Sequence, residues 1–377
     1  MPWGEAIANF PRYDFHHLPA YVSLEADRNG ARGCAFFYQD GRGTFMAPFM
    51  EIPVPLTLRP KGPPLFDALA PYGYAGPLLD WKGSRDDALA RNAFVAEAIH
   101  KLIQMLHERG VCSFLSCLHP LIDLPLEPFQ ASGILVTHGE TVWCDIHHTT
   151  EQLWSETRRD FRNPINRMMR EGFRFEIDET ASLMPEFVRL YHETMRRVGA
   201  EARYFFSLDY FQGFKSALGD RCVLANVRNP AGTLVSSGIF TRCSGIVQYH
   251  LSGNSVIEGG SHASKLLLHG IRGWAKEQGL DMFHLGGGVG AKNDSLFLFK
   301  SGFSSNRANF RTWRVIVNEQ AFASLTAQWE KLNRTGVEPV DGFFPAYRKI
   351  ISPWTLHNSV NPQETLSHLP KATLPEV

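Results

Sequence analysis

One seven-residue junction occurs twice in this chain and constrains its fold more than any other feature. It reads E-R-G-V-C-S-F at Glu108–Phe114 and E-Q-G-L-D-M-F at Glu277–Phe283, that is, Glu-x-Gly-apolar-x-x-Phe. Each copy follows an amphipathic stretch. Before the first, Val95, Ile99, Leu102, Ile103 and Leu106 recur at helical spacing, which predicts a helix over 85–109 capped by Ser84. Before the second, Leu267, Ile271 and Trp274 share one face of a helix opening at Ser264. A glycine at such a point stops the helix, because it takes left-handed backbone without steric cost. The apolar runs that follow, Val111–Leu118 and Leu280–Leu285, read as strands.

A second echo lies upstream. Ala35–Tyr38 and Thr44–Met50 flank a turn at Gln39–Gly43, and Leu224–Val227 and Thr233–Thr241 flank one at Arg228–Gly232; both read as hairpins. Each half therefore runs hairpin, strand, helix, glycine, strand, at a spacing of about one domain. This pattern signals a duplicated fold rather than a short solenoid repeat, and 377 residues leave room for two cores.

Between the halves, Glu151–Gly172 reads as helical with an interruption at Asn163-Pro164, since proline donates nothing to the helix ladder. Met184–Val198 reads as a further helix. Asp341–Arg348 (D-G-F-F-P-A-Y-R) is too aromatic for a free tail, whereas Ser352–Val377 is rich in Pro, Ser and His.

Formal net charge is +0, so no global field draws polyanions and any such contact belongs to a local patch. The start MPWGEAIANF has neither a basic nor an apolar leader region, no apolar run approaches the roughly 20 residues that span a bilayer, and the six cysteines form no C-x-x-C pair. A reduced, cytoplasmic protein is the expectation.

The segments Tyr249–Gly253 (Y-H-L-S-G) and His284–Ser304 (H-L-G-G-G-V-G-A-K-N-D-S-L-F-L-F-K-S-G-F-S) resemble the Fem family of aminoacyltransferases and their GNAT-like relatives. Members carry a Gly-rich strand end, an acidic residue and then Phe-Lys-x-x-Phe. Tyr13–Tyr21, Pro71–Leu78, Arg158–Gly172 and Phe343–Arg348 are similar to other family segments. The resemblance implies an α+β fold of two tandem GNAT-like domains, each a mixed, mostly antiparallel sheet flanked by helices. The first spans 1–150, with 318–350 as a candidate to complete it; the second, 151–317, carries the reaction centre; 351–377 is a tail. It also implies acyl or aminoacyl transfer to an amine. In Fem enzymes proper the donor is aminoacyl-tRNA and the acceptor a peptidoglycan precursor.

Coenzyme A-dependent GNAT enzymes grip pyrophosphate with a Gln/Arg-x-x-Gly-x-Gly/Ala loop. The corresponding Asn254–Ser264 loop offers Gly259 and Gly260 with no Arg or Gln three positions ahead of a Gly-x-Gly. Aminoacyl-tRNA is therefore the preferred donor, acyl-CoA the alternative, and no tightly bound cofactor is expected. No sustained heptads supply the helical arm of some Fem enzymes, which points to a small amine or amino-acid-derived metabolite rather than a cell-wall precursor, with a peptidoglycan-precursor-like acceptor as the other expectation. A binding or scaffold protein with a decayed site is the non-enzymatic alternative.

By the duplication, the two strands that splay in a GNAT-like fold are Ile246–Gly253 and Leu280–Gly287, whose ends hold Tyr249, His250, Ser252, His284 and Gly286-Gly287-Gly288. Lys300 matches the family's motif lysine. It either holds an anionic substrate group or stabilises developing charge, or is an ordinary lysine beside Phe297, Phe299 and Phe303. Asp294 either orients the amine or Lys300, accepts a proton, or caps the next segment. The glycines either let backbone approach a ligand or form a mobile turn. They make no dinucleotide fingerprint, as Leu296–Lys300 is not the helix that motif requires. Tyr249 and His250 alternate on a strand, so they face opposite layers. Arg158 and Arg162, with Arg159, Arg167 and Arg170, either bind phosphates or form a solvated face. Tyr72 and Tyr74 either line an acceptor pocket or pack a rigid Pro/Gly loop. No metal site is expected: His16-His17 and His147-His148 are adjacent pairs whose side chains diverge.

Overall fold

The computed structural model describes residues 2–59, 62–84, 86–256, 260–332 and 343–349. The first part of the chain runs α1 (Trp3–Ala6), α2 (Pro19–Arg28), β1 (Arg32–Asp40), β2 (Gly43–Pro53), β3 (Phe66–Leu69), β4 (Leu78–Trp81), α3 (Ala88–Glu108), β5 (Val111–Leu118), α4 (Glu127–Ser132) and β6 (Ile134–Asp145). The second runs α5 (Thr150–Glu156), α6 (Arg159–Arg170), β7 (Arg174–Asp178), α7 (Met184–Arg197), α8 (Leu208–Leu218), β8 (Cys222–Arg228), β9 (Leu234–Cys243), β10 (Ile246–Asn254), α9 (Gly260–Glu277), β11 (Met282–Gly286), α10 (Ser295–Lys300), β12 (Arg307–Ile316) and α11 (Glu319–Leu332).

The strands form one mixed, mostly antiparallel sheet in the order β1-β2-β3-β5-β12-β6-β11-β10-β9-β8-β7, with β4 added beside β2. Its two wings repeat one another. In each, a hairpin leads to a strand, a long helix and a parallel partner: β3 with β5, and β10 with β11. The twin junction sets this up. Gly110 and Gly279 both take positive φ, 73° and 66°, and the motif phenylalanines occupy matching register, Phe114 opposite Ala68 and Phe283 opposite Val247. The closing strands are exchanged. β6, from the first part, seals β11, while β12, from the second, lies between β5 and β6. A boundary at 150/151 therefore divides the chain but not the sheet.

Three large cores result. One packs α6 and α9 on the second wing, another packs α3 on the first, and the third gathers α2, α7 and α8 on the opposite face. On α3 the stripe Phe94, Val95, Ala98, Ile99, Leu102 and Leu106 is wholly buried, each large side chain contributing about 1.5–3 kcal/mol. α11 and Tyr347 close a smaller core with Val54, Leu58 and Cys112 of the first wing. There Arg348 and Tyr347 converge on the buried Asp67, each at 2.6 Å.

Four local expectations change. α3 starts at Ala88 under Asp87, whose carboxylate accepts from Ala90 N at 3.0 Å; Ser84 serves only the turn before it, accepting from Asp86 N. Pro164 does not interrupt α6. The carbonyl it deprives of a donor, that of Asp160, is met by Lys265 Nζ at 3.4 Å, and the break falls at Thr157–Arg158 instead. α9 opens at Gly260 rather than Ser264. Ser295–Lys300 is a short helix after all, nucleated by Asp294. The expected tail, 351–377, lies outside the described residues.

Candidate active site

β10 and β11 are paired over only three residue pairs, Ile246↔Met282, Val247↔Phe283 and Gln248↔His284. Just beyond, β10 has a bulge against β9 between Tyr249 and Leu251, and β11 has one against β6 between His284 and Gly286. Two bulges at the same level bend the strands apart. Tyr249, Ser252 and the Gly286–Gly288 run flank the slot where that pairing stops.

Lys300 projects into this border from α10. It is 8% exposed, donates to Gly287 O at 2.6 Å and stands 5.5 Å from the Tyr249 ring centroid. Burial pushes its ammonium down to about 8, with the charge of Asp294 opposing only in part. Among the described residues it forms no ion pair. Tyr249 stacks on Phe240 and hydrogen-bonds Ser252; the bulge brings these residues, three apart on a strand, to one side. Gly286 has φ +75°, which only glycine adopts freely. A Cβ at Gly288 would lie 2.1 Å from Lys292 O and 2.3 Å from Asp294 Oδ1. Asp294 itself accepts from Phe297 N and Val289 N, both at 2.9 Å. Burial opposes its ionisation, but these bonds outweigh it and hold the carboxyl below its ordinary range. Its hydrogen bonds are those of a cap, and it shapes the turn that presents Lys300.

His284 is fully buried. Its Nδ1 meets Gln248 Oε1 at 2.6 Å, and Gln248 Nε2 donates to Tyr249 O, which orients the amide. Nδ1 therefore carries the hydrogen and Nε2 a bare lone pair, for which no partner occurs among the described residues. Burial keeps the ring neutral, far below the usual histidine range. His250 points to the other layer, as the alternation requires. It stacks on Phe214 at 4.8 Å with Phe15 edge-on, and burial takes it to about 3.

The remaining predicted residues divide. Tyr74 enters the slot from the first wing, its ring 5.1 Å from that of His284. Tyr72 turns the opposite way, towards His250 and Phe206. Phe299 packs on Phe161 and Phe303 in the core, so it supports α10 rather than lining the slot. Arg158 stands just before α6, paired with Asp160 and 4.7 Å over Phe161. Arg162 is half-buried on α6. Gly260 begins α9, and Gly259 lies outside the described residues. Two clefts lie elsewhere, one of about 550 Å³ along Asn163, Asn166, Met169 and Arg170, the other of about 400 Å³ between β7 and α9.

Sequence reasoning missed a buried cluster under Tyr74. Asp14 is 0% exposed and contacts His16 Nδ1 and His119 Nε2, each at 3.2 Å. Burial opposes ionisation of Asp14, but its contacts with the two imidazoles, the His119 hydrogen bond first, prevail and hold it far below the carboxylate range. Asp14, His16 and His119 lie 105 residues apart at the extremes, so no local pattern announces them. Three ligand atoms within 4.8 Å suggest a metal. The tautomer argues otherwise: His119 Nδ1 accepts from Leu121 N at 3.1 Å, so Nε2 holds a proton and donates it to Asp14. A metal-bound imidazole instead donates from its second nitrogen.

Parallel strands that splay between two such wings are the arrangement of the GNAT fold. Residues 155–293 match the family model described as the acetyltransferase (GNAT) domain. Among solved structures the fold is that of FemX, at 14% identity and a TM-score of 0.61, covering 82% of this chain and 94% of that one. It is also that of the C-terminal domain of a putative lysylphosphatidylglycerol synthetase from Agrobacterium fabrum (14% identity, TM-score 0.51, 87% and 94% covered). The third is L-PGS from Bacillus licheniformis (15% identity, TM-score 0.51, 82% and 91% covered). No curated protein matches the sequence. No helix among the described residues is long and apolar enough to cross a membrane.

Proposed function

We propose that this protein transfers an aminoacyl group from aminoacyl-tRNA to the amine of a small or peptidoglycan-precursor-like acceptor, in the slot between β10 and β11. The observation that carries the reading is Lys300: a buried ammonium that forms no ion pair among the described residues, at the mouth of two diverging strands, is costly unless a negative charge appears beside it. The amine nitrogen attacks the ester carbonyl, and the electron pair moves onto oxygen beside Lys300. Collapse then expels the ribose oxygen, which takes the proton the nitrogen gives up. His284 Nε2, a buried lone pair on a neutral ring, is the candidate that accepts that proton in passing. Tyr249 and Ser252 border the carbonyl, and the Gly286–Gly288 backbone approaches it.

The arginines of α6 support a polyanionic donor. Arg159 and Arg162 form no ion pair among the described residues, and Arg170 borders the adjoining cleft. Such a patch suits the acceptor end of a tRNA in a chain with no net charge. The cytoplasm, where charged tRNA is found, is the compartment this implies; all six cysteines are free. Acyl-CoA is the second donor, favoured by the match of 155–293 to the acetyltransferase domain. Incubation with a panel of charged tRNAs and, separately, acyl-CoAs decides. Ribonuclease-sensitive amide formation selects tRNA, amine-dependent release of free thiol selects coenzyme A, and turnover of neither supports a scaffold.

A further inference from the structure

The slot is built by the second wing, yet one polar group in it comes from the first. Tyr74 lies in the loop between β3 and β4, and its hydroxyl reaches the Gly286–Gly287 backbone. A Cβ built on Gly286 would stand 3.4 Å from Tyr74 Oη and 3.4 Å from Lys300 Nζ. Tyr74 Oη and Lys300 Nζ therefore face the same side of Gly286, where no side chain stands between them. We propose that Tyr74 is a catalytic residue supplied by the first wing, donating a hydrogen bond beside Lys300 to the carbonyl oxygen that gains the electron pair, and that Asp14, His16 and His119 position it. This rests on the transfer reading above.

The placement of the phenol is over-determined. Gly73 has φ +108°, and a Cβ there would lie 2.1 Å from His16 Nε2, so the backbone just before Tyr74 lies flat against the His16 ring. Asp14 Oδ2 lies 3.2 Å from Nδ1 of that ring and hydrogen-bonds Nε2 of His119 at 3.2 Å. Both imidazoles then stand edge-on to Tyr74, at 5.6 Å and 5.9 Å between centroids. His284 at 5.1 Å and Phe310 at 5.4 Å close the cage. On the other side of Gly73, Tyr21 Oη donates to Tyr72 O at 2.7 Å and pins the loop. Burial pushes the Tyr74 phenol up, so it remains a protonated donor throughout. The amine lone pair forms the new C–N bond while the carbonyl π pair moves to oxygen, between the Tyr74 O–H and the Lys300 ammonium. Re-forming the carbonyl breaks the bond to the leaving oxygen, or to sulfur for a thioester. That atom takes the proton from nitrogen, and Tyr74 keeps its own.

The test compares Tyr74→Phe, Lys300→Met, Asp14→Asn and His119→Gln in the full chain, with whichever donor class the wild type turns over. Tyr74→Phe is expected to lower kcat about 10²-fold, with donor KM within about twofold and an unchanged melting temperature. Asp14→Asn and His119→Gln should lower kcat in the wild type but add little in the Tyr74→Phe background, because a positioning role has nothing left to position. A merely structural role would lower both backgrounds equally, and that result overturns the positioning assignment. Wild-type kcat in Tyr74→Phe beside an inactive Lys300→Met sinks the Tyr74 assignment alone. Wild-type kcat in both sinks the site itself, and a wild type that turns over neither donor sinks the transfer reading and this inference together.

Discussion

Replacing Lys300 by methionine keeps most of the apolar stem of the side chain and removes a charge from a buried site. The ordinary lysine value of 10.5 falls to about 8 here, and at 1.36 kcal/mol for each pH unit that difference corresponds to about 3 kcal/mol of destabilisation carried by the folded state at pH 7. Losing the hydrogen bond to Gly287 O costs about 1 kcal/mol in return. The variant should therefore be about 2 kcal/mol more stable than the wild type at pH 7, while transfer falls by about 10²–10³. The pH dependence has a definite sign. Between about 8 and 10.5 the unfolded lysine binds a proton that the folded one does not, so wild-type stability rises with pH across that window. The advantage of the variant should shrink there and reverse slightly above it. Urea denaturation from pH 7 to 10.5, followed by tryptophan fluorescence, measures both quantities. A variant less stable at pH 7, or a difference independent of pH, would refute the claim that Lys300 is held charged against burial for function.

Three further outcomes follow from the packing. Asp67→Asn leaves Arg348, itself 3% exposed, a buried cation without its carboxylate, and should cost about 3–5 kcal/mol in chemical denaturation; a loss under about 1 kcal/mol would mean that the latch closing the first wing is dispensable. A Cβ at Gly253 would meet Tyr191 N at 2.3 Å and Leu190 C at 2.4 Å, so Gly253→Ala must push α7 off β10 and should lower stability by about 1–3 kcal/mol; an unchanged melting temperature contradicts that close approach. His250 is neutral down to about 3, below its ordinary 6.5, so the stability it supports is present above 6.5 and lost as pH falls towards 3; His250→Phe should flatten the acid limb of a stability–pH curve by up to about 1.4 kcal/mol per pH unit, and an identical limb would count against it.

The repeated junction made the wings legible, because a helix stop, a strand start and a buried phenylalanine are all local matters of backbone and patterning. Gly110 and Gly279 take the left-handed backbone that their positions after amphipathic stretches require. The alternation that separates Tyr249 from His250 is likewise a property of any strand. Lys300 was legible only through resemblance, since nothing in Phe-Leu-Phe-Lys dictates that its ammonium turns inward to Gly287.

Other features belong to the tertiary structure alone. The exchange of β6 and β12 is invisible to periodicity, because a strand's pattern names its buried face and not its neighbour. Pro164 was misjudged for a related reason: the donor that repairs the ladder, Lys265, comes from another helix. Asp14, His16 and His119 meet only when the start of the chain folds under the end of β5. The sequence by itself determined the elements and their apolar faces, through interactions a few residues long. Which elements became neighbours, and so which polar groups share one buried slot with Tyr74 and Lys300, was decided by long-range packing that no short window of residues encodes.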